Sequence, residues 1–194
     1  PSAAGYTFGG WYKEAECTNA WDFENDEVTS DITLYAKWTA NKYTVTLDNQ
    51  NATTAGTASV QATYDSAMPS ATMPQKTGYT FGGYYTAING GGTKYYNANG
   101  SSAKNWDKTS NNTNLYAQWT ANQYTITYKD QGNVAFSGTH ASGYPTTHTY
   151  GTATTLKTAS KTGYTFGGWF TDSNCTQKVT SLGATSYTAN ITLY

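Results

Sequence analysis

The chain has 194 residues, and its 12% of charged residues is about half of the roughly 25% usual in soluble domains. All 11 basic residues are lysine and the formal net charge is −1, so no strong field steers the chain toward nucleic acid or acidic lipid. No nucleic-acid partner is expected, because arginine usually makes the bidentate contacts to phosphate and guanine. No apolar run approaches the ~20 residues of a membrane span, so we expect no membrane insertion.

The composition favours β-structure. Aromatic residues make up 15% of the chain, led by 18 tyrosines, and they suit a pleated, half-buried sheet, as do its threonines. A disordered linker rich in Thr, Ser and Gly is the other interpretation, but such linkers lack aromatic and β-branched runs. The composition therefore predicts a mainly β protein, or at most an α+β protein.

Two recurring strings show that the chain is built from internal repeats. GYTFGG occurs three times, at Gly5–Gly10, Gly78–Gly83 and Gly163–Gly168. LYA-x-W-TAN-x-YT occurs at Leu34–Thr44 and Leu115–Thr125, and its first two letters recur as the last two residues of the chain. The order of the two strings defines one repeat.

The repeats predict three segments. Residues 1–40 are the C-terminal half of a truncated repeat, residues 41–121 form a complete repeat, and residues 122–194 form a nearly complete repeat that lacks its last few residues. The joints, residues 39–42 and 120–123, are short and contain no Pro or Gly. Such joints predict small domains in series that form an elongated, semi-rigid rod.

Period-two alternation marks the strands within a repeat. Tyr43, Val45 and Leu47 are expected on one face, with the intervening threonines on the other. The Gly pair in each GYTFGG string predicts a β-bulge or a close approach of backbone. We expect four or five strands per repeat and at most one short helix, for which Thr152–Lys161 is the candidate in the last repeat.

Two clusters contain residue types that bind metals. His140 and His148 could face each other across a hairpin, but no third ligand is evident, so we expect two solvent-exposed histidines. The acidic residues Asp22, Glu24 and Asp26 could offer oxygen ligands to calcium, together with Glu27. Their loop lacks the EF-hand pattern of Gly and terminal Glu, so a solvated turn is expected and no metal site is predicted.

The two cysteines occupy equivalent positions in repeats that are not adjacent. Cys17 and Cys175 each lie twelve residues after the first Gly of a GYTFGG string. A disulfide between them would require the rod to fold back, so small, partly buried free thiols are expected. A catalytic thiol needs a partnered base nearby, and none is evident, so no catalytic residue is predicted.

Exposed aromatic side chains are the one feature that suggests a ligand. Tyr85, Tyr95 and Tyr96 lie beside the glycines at 90–92 and form a candidate ligand-binding patch. The other interpretation is that these rings belong to the core, because each small repeat needs buried apolar area to fold.

The combined motifs resemble the Listeria–Bacteroides repeat family, which includes the B repeats of internalin-type surface proteins. The residues that carry the resemblance are Lys76–Tyr84, Lys161–Phe170, Asp31–Trp38, Asn114–Trp119 and Trp21-Asp22-Phe23. The resemblance implies a β-grasp, ubiquitin-like sheet in each repeat, an extracellular location on the bacterial surface or cell wall, and no catalytic residue or cofactor. The middle repeat departs from the pattern, with Tyr84 in place of Trp and a Gly- and Asn-rich insertion at Ala87–Asn99.

Two functions follow as hypotheses, and neither is enzymatic. In the first, the repeats are a stalk or spacer of an adhesin, with neighbouring repeats of the same chain as partners. In the second, Tyr- and Trp-rich loops bind a host glycan or an extracellular-matrix protein.

Overall fold

A computed structural model describes all residues from 1 to 194. It contains seventeen β-strands, no α-helix, and two 3-10 helices at Ile88–Gly90 and Gln131–Asn133. The prediction of a mainly β protein is confirmed. The strands are β1 (Tyr6–Tyr12), β2 (Tyr35–Ala40), β3 (Lys42–Asp48), β4 (Ser59–Thr63), β5 (Tyr79–Tyr85), β6 (Lys94–Asn97), β7 (Thr113–Ala121), β8 (Gln123–Asp130), β9 (Val134–Ala135), β10 (Thr139–His140), β11 (Thr147–Thr149), β12 (Thr154–Thr155), β13 (Ala159–Ser160), β14 (Trp169–Phe170), β15 (Lys178–Val179), β16 (Ser181–Leu182) and β17 (Ile191–Leu193).

The strand number agrees with the prediction in one repeat and exceeds it in the next. Residues 41–121 contain five strands, whereas residues 122–194 contain ten strands, most of them only two residues long. The helix proposed for Thr152–Lys161 is wrong, because this stretch forms β12 and β13, which pair with β16 and β10. Threonine is stiff at χ1 and packs well in strands, and partners distant in sequence complete the pairs.

The chain divides into two compact units, and each is described here by itself. Unit 1 comprises residues 1–74 and 82–118, and unit 2 comprises residues 75–81 and 119–194. These units differ from the repeat boundaries predicted at 41–121 and 122–194, because the segment 75–81 packs with the repeat that follows it. The repeat boundaries drawn from the sequence therefore remain a prediction.

Strand β3 is central to unit 1. It pairs antiparallel with β4 and parallel with β7, within a five-stranded sheet of order β4-β3-β7-β5-β6. Tyr43, Val45 and Leu47 of β3 are buried, as the alternation predicts. Alternate side chains of a strand point to opposite faces, so a slip of one residue would carry all three buried side chains to the other face; the register is therefore strongly specified.

Aromatic side chains fill much of the interior of unit 1. Tyr84, Tyr95, Tyr96 and Trp106 have no exposed surface. The rings of Tyr84 and Tyr96 meet edge to face at 6.0 Å, and those of Tyr95 and Trp106 lie 5.0 Å apart. Such ring pairs add about 0.5–1.5 kcal/mol each beyond the burial of apolar area.

Unit 2 repeats this arrangement with shorter strands. Strand β8 pairs antiparallel with β11 and parallel with β17, as β3 does with β4 and β7. The backbone N–H groups of Phe170 and Tyr194 each donate to the carbonyl of the other residue, at 2.8 and 2.9 Å. The buried core consists of Ile126, Trp169, Leu182, Ile191 and Leu193.

The Gly pair of the first GYTFGG string forms the predicted bulge. Strands β1 and β2 pair antiparallel, and their register shifts between Phe8 and Trp11. Gly10, inside the shift, has φ of 109°, a conformation that L side chains rarely adopt. The bulge prediction is therefore confirmed here.

Burial strongly raises the pKa of four tyrosines. The pKa rises to about 12 for Tyr96 and for Tyr128, and it also rises for Tyr84 and Tyr95. Because these folded-state values exceed the unfolded value of about 10, the neutral phenols contribute their stability fully below about pH 10. That contribution is lost as the pH rises toward the folded-state values.

We therefore expect unfolding in alkali to coincide with ionisation of these tyrosines. In a titration followed by tyrosinate absorbance and near-ultraviolet circular dichroism, exposed tyrosines should ionise first with the tertiary signal intact. The remaining tyrosines should ionise in a later, steeper step, together with loss of that signal. Ionisation of all 18 tyrosines in one step near pH 10, with the tertiary signal unchanged, would contradict this prediction.

Candidate functional site: the joint between repeats

The predicted ligand patch does not form an exposed surface. Tyr95 and Tyr96 have no exposed surface, and their hydroxyl groups donate to the Asp107 carboxylate and to the Pro69 carbonyl. The expectation that these two rings are accessible is therefore corrected, because the small repeat uses them in its core. Tyr85 is half-buried and has the Lys94 ammonium 5.4 Å from its ring centre. Ligand binding by this region remains a prediction.

The histidines also differ from their prediction. His148 is fully buried on β11, with Nδ1 2.8 Å from Thr154 Oγ1. His140 is partly buried, and its ring stacks on Phe136 and Tyr144 at centroid distances of 4.2 and 3.9 Å. Burial lowers the pKa of His140. Both imidazoles pack among other side chains, which corrects the expectation that they are solvent-exposed.

The prediction of free, partly buried thiols is confirmed, and the acidic residues lie in or beside a turn. Cys17 and Cys175 are free and partly buried, and both have positive φ, at 53° and 58°. Asp22 accepts a hydrogen bond from the backbone N–H of Glu24, within a turn. Asp26 accepts from Lys13 Nζ at 2.7 Å, which holds the pKa of Asp26 below its usual value. No group of three or more His, Cys, Asp or Glu side chains could hold a metal ion.

The site that the structure does build lies at the joints, and it is built twice. Joint 1 consists of Gly5, Tyr6, Thr7, Asn41 and Tyr64. The N–H of Asn41 donates to the Gly5 carbonyl at 2.8 Å, and the N–H of Tyr64 donates to the Asn41 carbonyl at 2.9 Å. The Thr7 hydroxyl donates to Asn41 Oδ1 at 2.5 Å. One asparagine thus binds both sides of the joint through its backbone and its side chain.

Aromatic packing closes joint 1. The Tyr64 ring lies directly over Gly5, where an added Cβ would overlap the ring atoms. The Tyr6 ring meets Tyr64 edge to face at 5.4 Å. Gly5 also has φ of 80°, so glycine is required here by its backbone conformation as well as by the ring above it.

Joint 2 has the same geometry in unit 2. It consists of Gly78, Tyr79, Thr80, Asn122 and Tyr150. Asn122 donates to the Gly78 carbonyl and Tyr150 donates to the Asn122 carbonyl, both at 2.9 Å, while the Thr80 hydroxyl donates to Asn122 Oδ1 at 2.6 Å. Tyr150 covers Gly78, and its ring lies 5.6 Å from that of Tyr79. Two independent copies of one arrangement show that the repeats specify the joint.

Only half of this site is recognisable in the sequence. The asparagines lie in the recurring TAN-x-YT string, whereas Tyr64 and Tyr150 lie 21 and 26 residues after Tyr43 and Tyr124. This unequal spacing hides their equivalence. The Thr-Tyr dipeptides at 63–64 and 149–150 are the signal that could have found it. The joint contains no nucleophile and no acid–base pair, so its geometry restrains the backbone and offers no evident chemistry.

Repeated strand patterns with a shared joint define a tandem repeat protein, mainly of β-structure. The model of the Listeria-Bacteroides repeat domain matches residues 1–37, 43–118 and 124–194. The chain therefore belongs to the Listeria–Bacteroides repeat family, and the resemblance predicted from its motifs is confirmed.

Three relatives place the repeats within much longer proteins. The chain is 41% identical to Internalin H of Listeria monocytogenes over 63% of its own length and 20% of that protein. Two proteins of Evansella cellulosilytica that bear membrane-protein names are 32% and 30% identical over 89% and 91% of this chain. The chain spans 24% and 19% of their lengths.

No solved structure gives a significant match to the chain. None of its helical segments has the length and hydropathy that a membrane-spanning helix requires.

Proposed function

We propose that this chain is a non-catalytic repeat region that acts as a stalk or spacer of an adhesin on the bacterial surface. The observation that carries the proposal is the joint built twice with the same hydrogen bonds and the same covering tyrosine. A spacer needs a joint that restrains the chain between repeats, and it needs no reactive group. The internalin name of one relative supports an extracellular location.

The strand pairing supports a β-grasp fold for each repeat. In residues 41–121 the central strand β3 has an antiparallel neighbour that follows it directly in sequence and a parallel neighbour that comes last. Strand β8 has the same two neighbours, in β11 and β17. The segments between the second and third strands contain no helix, which distinguishes these repeats from a full ubiquitin-like domain. An elongated rod remains part of the proposal.

The alternative function is an adhesive module that binds a host glycan or a matrix protein. The exposed loop around Ile88, which is 57% exposed, and the half-buried Tyr85 favour this alternative. Tyr95 and Tyr96 do not favour this alternative, because their rings are in the core.

A display experiment separates the two functions. The chain is placed between a bacterial surface anchor and a reporter domain that binds bead-bound target. As a spacer, the chain should increase bead capture over the anchor alone, and replacing residues 87–92 by a Gly/Ser loop should leave the gain unchanged.

The same purified chain, screened on glycan and matrix-protein arrays, provides the control for the alternative. A spacer should bind no ligand more strongly than a matched Tyr85→Ala variant. Saturable binding that Tyr85→Ala or the loop replacement abolishes, in variants with unchanged circular dichroism, would favour the adhesive module instead.

A further inference from the structure

The first and last strands of residues 41–121 are neighbours in the sheet and run in the same direction. Strand β3 begins at Lys42, one residue after Asn41 of joint 1, and strand β7 ends at Ala121, one residue before Asn122 of joint 2. The two strands pair in parallel. The points at which the chain enters β3 and leaves β7 therefore lie at opposite ends of one ladder.

The paired part of this ladder is short and staggered. Residues 45–48 of β3 lie opposite residues 113–116 of β7, so the start of β3 and the end of β7 both extend beyond the overlap. A pull on Lys42 and Ala121 in opposite directions would slide one strand along the other. The hydrogen bonds of the overlap cross from strand to strand, so sliding strains them all together, whereas peeling breaks them one after another.

Buried side chains resist the same movement. Val45 and Leu47 of β3 are buried, and so are Leu115 and Ala117 of β7. A slip of one residue along the ladder would direct buried side chains to the opposite face of the sheet. The two strands therefore cannot yield to a pull in small steps that each keep most of the contacts.

An asparagine side chain adds a hydrogen bond at the start of the overlap. The Thr44 N–H donates to Asn111 Oδ1 at 3.0 Å, and the Asn112 N–H donates to the Thr44 carbonyl at 2.9 Å. Both backbone groups of Thr44 thus bind the segment that leads into β7. These bonds lengthen the ladder beyond its register pairs.

Unit 2 contains the same arrangement. Strand β8 directly follows joint 2 and pairs in parallel with β17. The Thr125 N–H donates to Asn190 Oδ1 at 3.0 Å, as the Thr44 N–H does to Asn111. Asn190 precedes its strand by one residue and Asn111 precedes its strand by two. The bond thus forms at the same place in both ladders although the spacing of the asparagine differs.

We propose that this parallel ladder, with its asparagine, is a clamp that bears tension carried along the chain. Forced unfolding is governed by the rate of unfolding, and a ladder whose bonds must break together slows that step. This role goes beyond the proposed function, because a spacer can separate two domains without bearing a load. The display experiment tests separation and a pulling experiment tests load, so either proposal can fail alone.

Single-molecule pulling on the full chain needs attachment points at chosen residues. Cys17 and Cys175 are therefore first replaced by Gly, so that introduced cysteines are the only thiols. Gly90 lies at the equivalent position of the middle repeat and also has positive φ, at 75°, so this change suits the backbone there.

Two pulling directions then load strand β3 differently. In one chain the attachment points are Lys42→Cys and Ala121→Cys, which shears β3 against β7. In the other they are Lys42→Cys and Thr63→Cys, which lie opposite each other at one end of the antiparallel β3–β4 ladder, so this pair is peeled. The sheared chain should rupture at a force several times that of the peeled chain. The length released identifies each event, since an extended chain spans at most about 3.6 Å per residue.

Two variants that change contacts of Thr44 test the asparagine in the sheared chain. Asn111→Ala removes the acceptor of the Thr44 N–H on the β7 side. Gln61→Ala is the matched control, because it removes the donor to Thr44 Oγ1, at 2.8 Å, on the β4 side. Asn111→Ala should lower the rupture force and Gln61→Ala should not, although both should shift the urea midpoint by similar small amounts.

Two results would overturn the proposal. One is an equal rupture force in the two pulling directions, which would mean that the parallel ladder gives no special resistance. The other is an equal rupture force in the Asn111→Ala and Gln61→Ala chains, whether lowered or unchanged. The force would then follow the overall stability of unit 1 and not the bonds that β3 makes with β7.

Discussion

Gly78→Ala should destabilise unit 2 by about 2–4 kcal/mol, because two independent penalties apply at this position. Gly78 has φ of 76°, where an L residue costs about 1–2 kcal/mol. A Cβ there would overlap the near end of the Tyr150 ring, so the ring must leave its place over the joint. The free energy of unfolding from urea titration measures the total effect.

Gly163→Ala is the matched control that the chain itself provides. Gly163 has φ of 81° and lies in the same string, but nothing lies within 4 Å of its Cβ position. It should therefore show only the backbone penalty of about 1–2 kcal/mol. In the Gly78 variant, amide exchange at Asn122 and Tyr150 should also increase, because both N–H groups donate within the joint. Equal losses in the two variants would mean that the covering ring contributes nothing to stability.

Tyr96→Ala should destabilise unit 1 by about 3–5 kcal/mol, the range for large aromatic truncations in cores. Tyr96 has no exposed surface, packs edge to face on Tyr84 and donates its hydroxyl to the Pro69 carbonyl at 2.6 Å. A domain of ordinary stability has about 5–15 kcal/mol in total, so this single change removes a large fraction. The melting temperature and the urea midpoint are the measurements.

Two other variants divide this loss into its parts. Tyr96→Phe keeps the ring and should cost about 1–3 kcal/mol, since it leaves the Pro69 carbonyl without its donor. Tyr85 belongs to the same predicted ligand patch but is only half-buried, so Tyr85→Ala should cost clearly less than Tyr96→Ala. If Tyr96→Ala and Tyr85→Ala were equally mild, the assignment of Tyr96 to the core would be wrong.

These variants also matter for any binding assay on this region. Loss of a ligand on replacing Tyr95 or Tyr96 would be expected from unfolding alone, because both rings are buried. Only Tyr85 and the loop at 87–92 can be changed without removing the core.

Alternation and repetition in the sequence predicted the strands of residues 41–121 and the family. Tyr43, Val45 and Leu47 could be assigned to one face because a strand directs alternate side chains to opposite faces, whatever its partners. The Gly pair predicted its bulge because glycine itself can adopt the positive φ that a bulge needs, whatever its partners. The helix expected within Thr152–Lys161 failed because its backbone found strand partners far away in sequence.

The sequence by itself determined the repeat order, the mainly β character and the positions of the joints, since all three follow from recurring strings and residue patterns that need no knowledge of tertiary contacts. Only the tertiary structure decided which aromatic rings are buried and which segments pack together. Tyr85 and Tyr96 both follow a Tyr, yet one is half-exposed and the other fully buried. Tyr150 reaches Gly78 across 72 residues of sequence. Such contacts depend on which distant segments of the chain pack against each other, and a local sequence pattern does not show this.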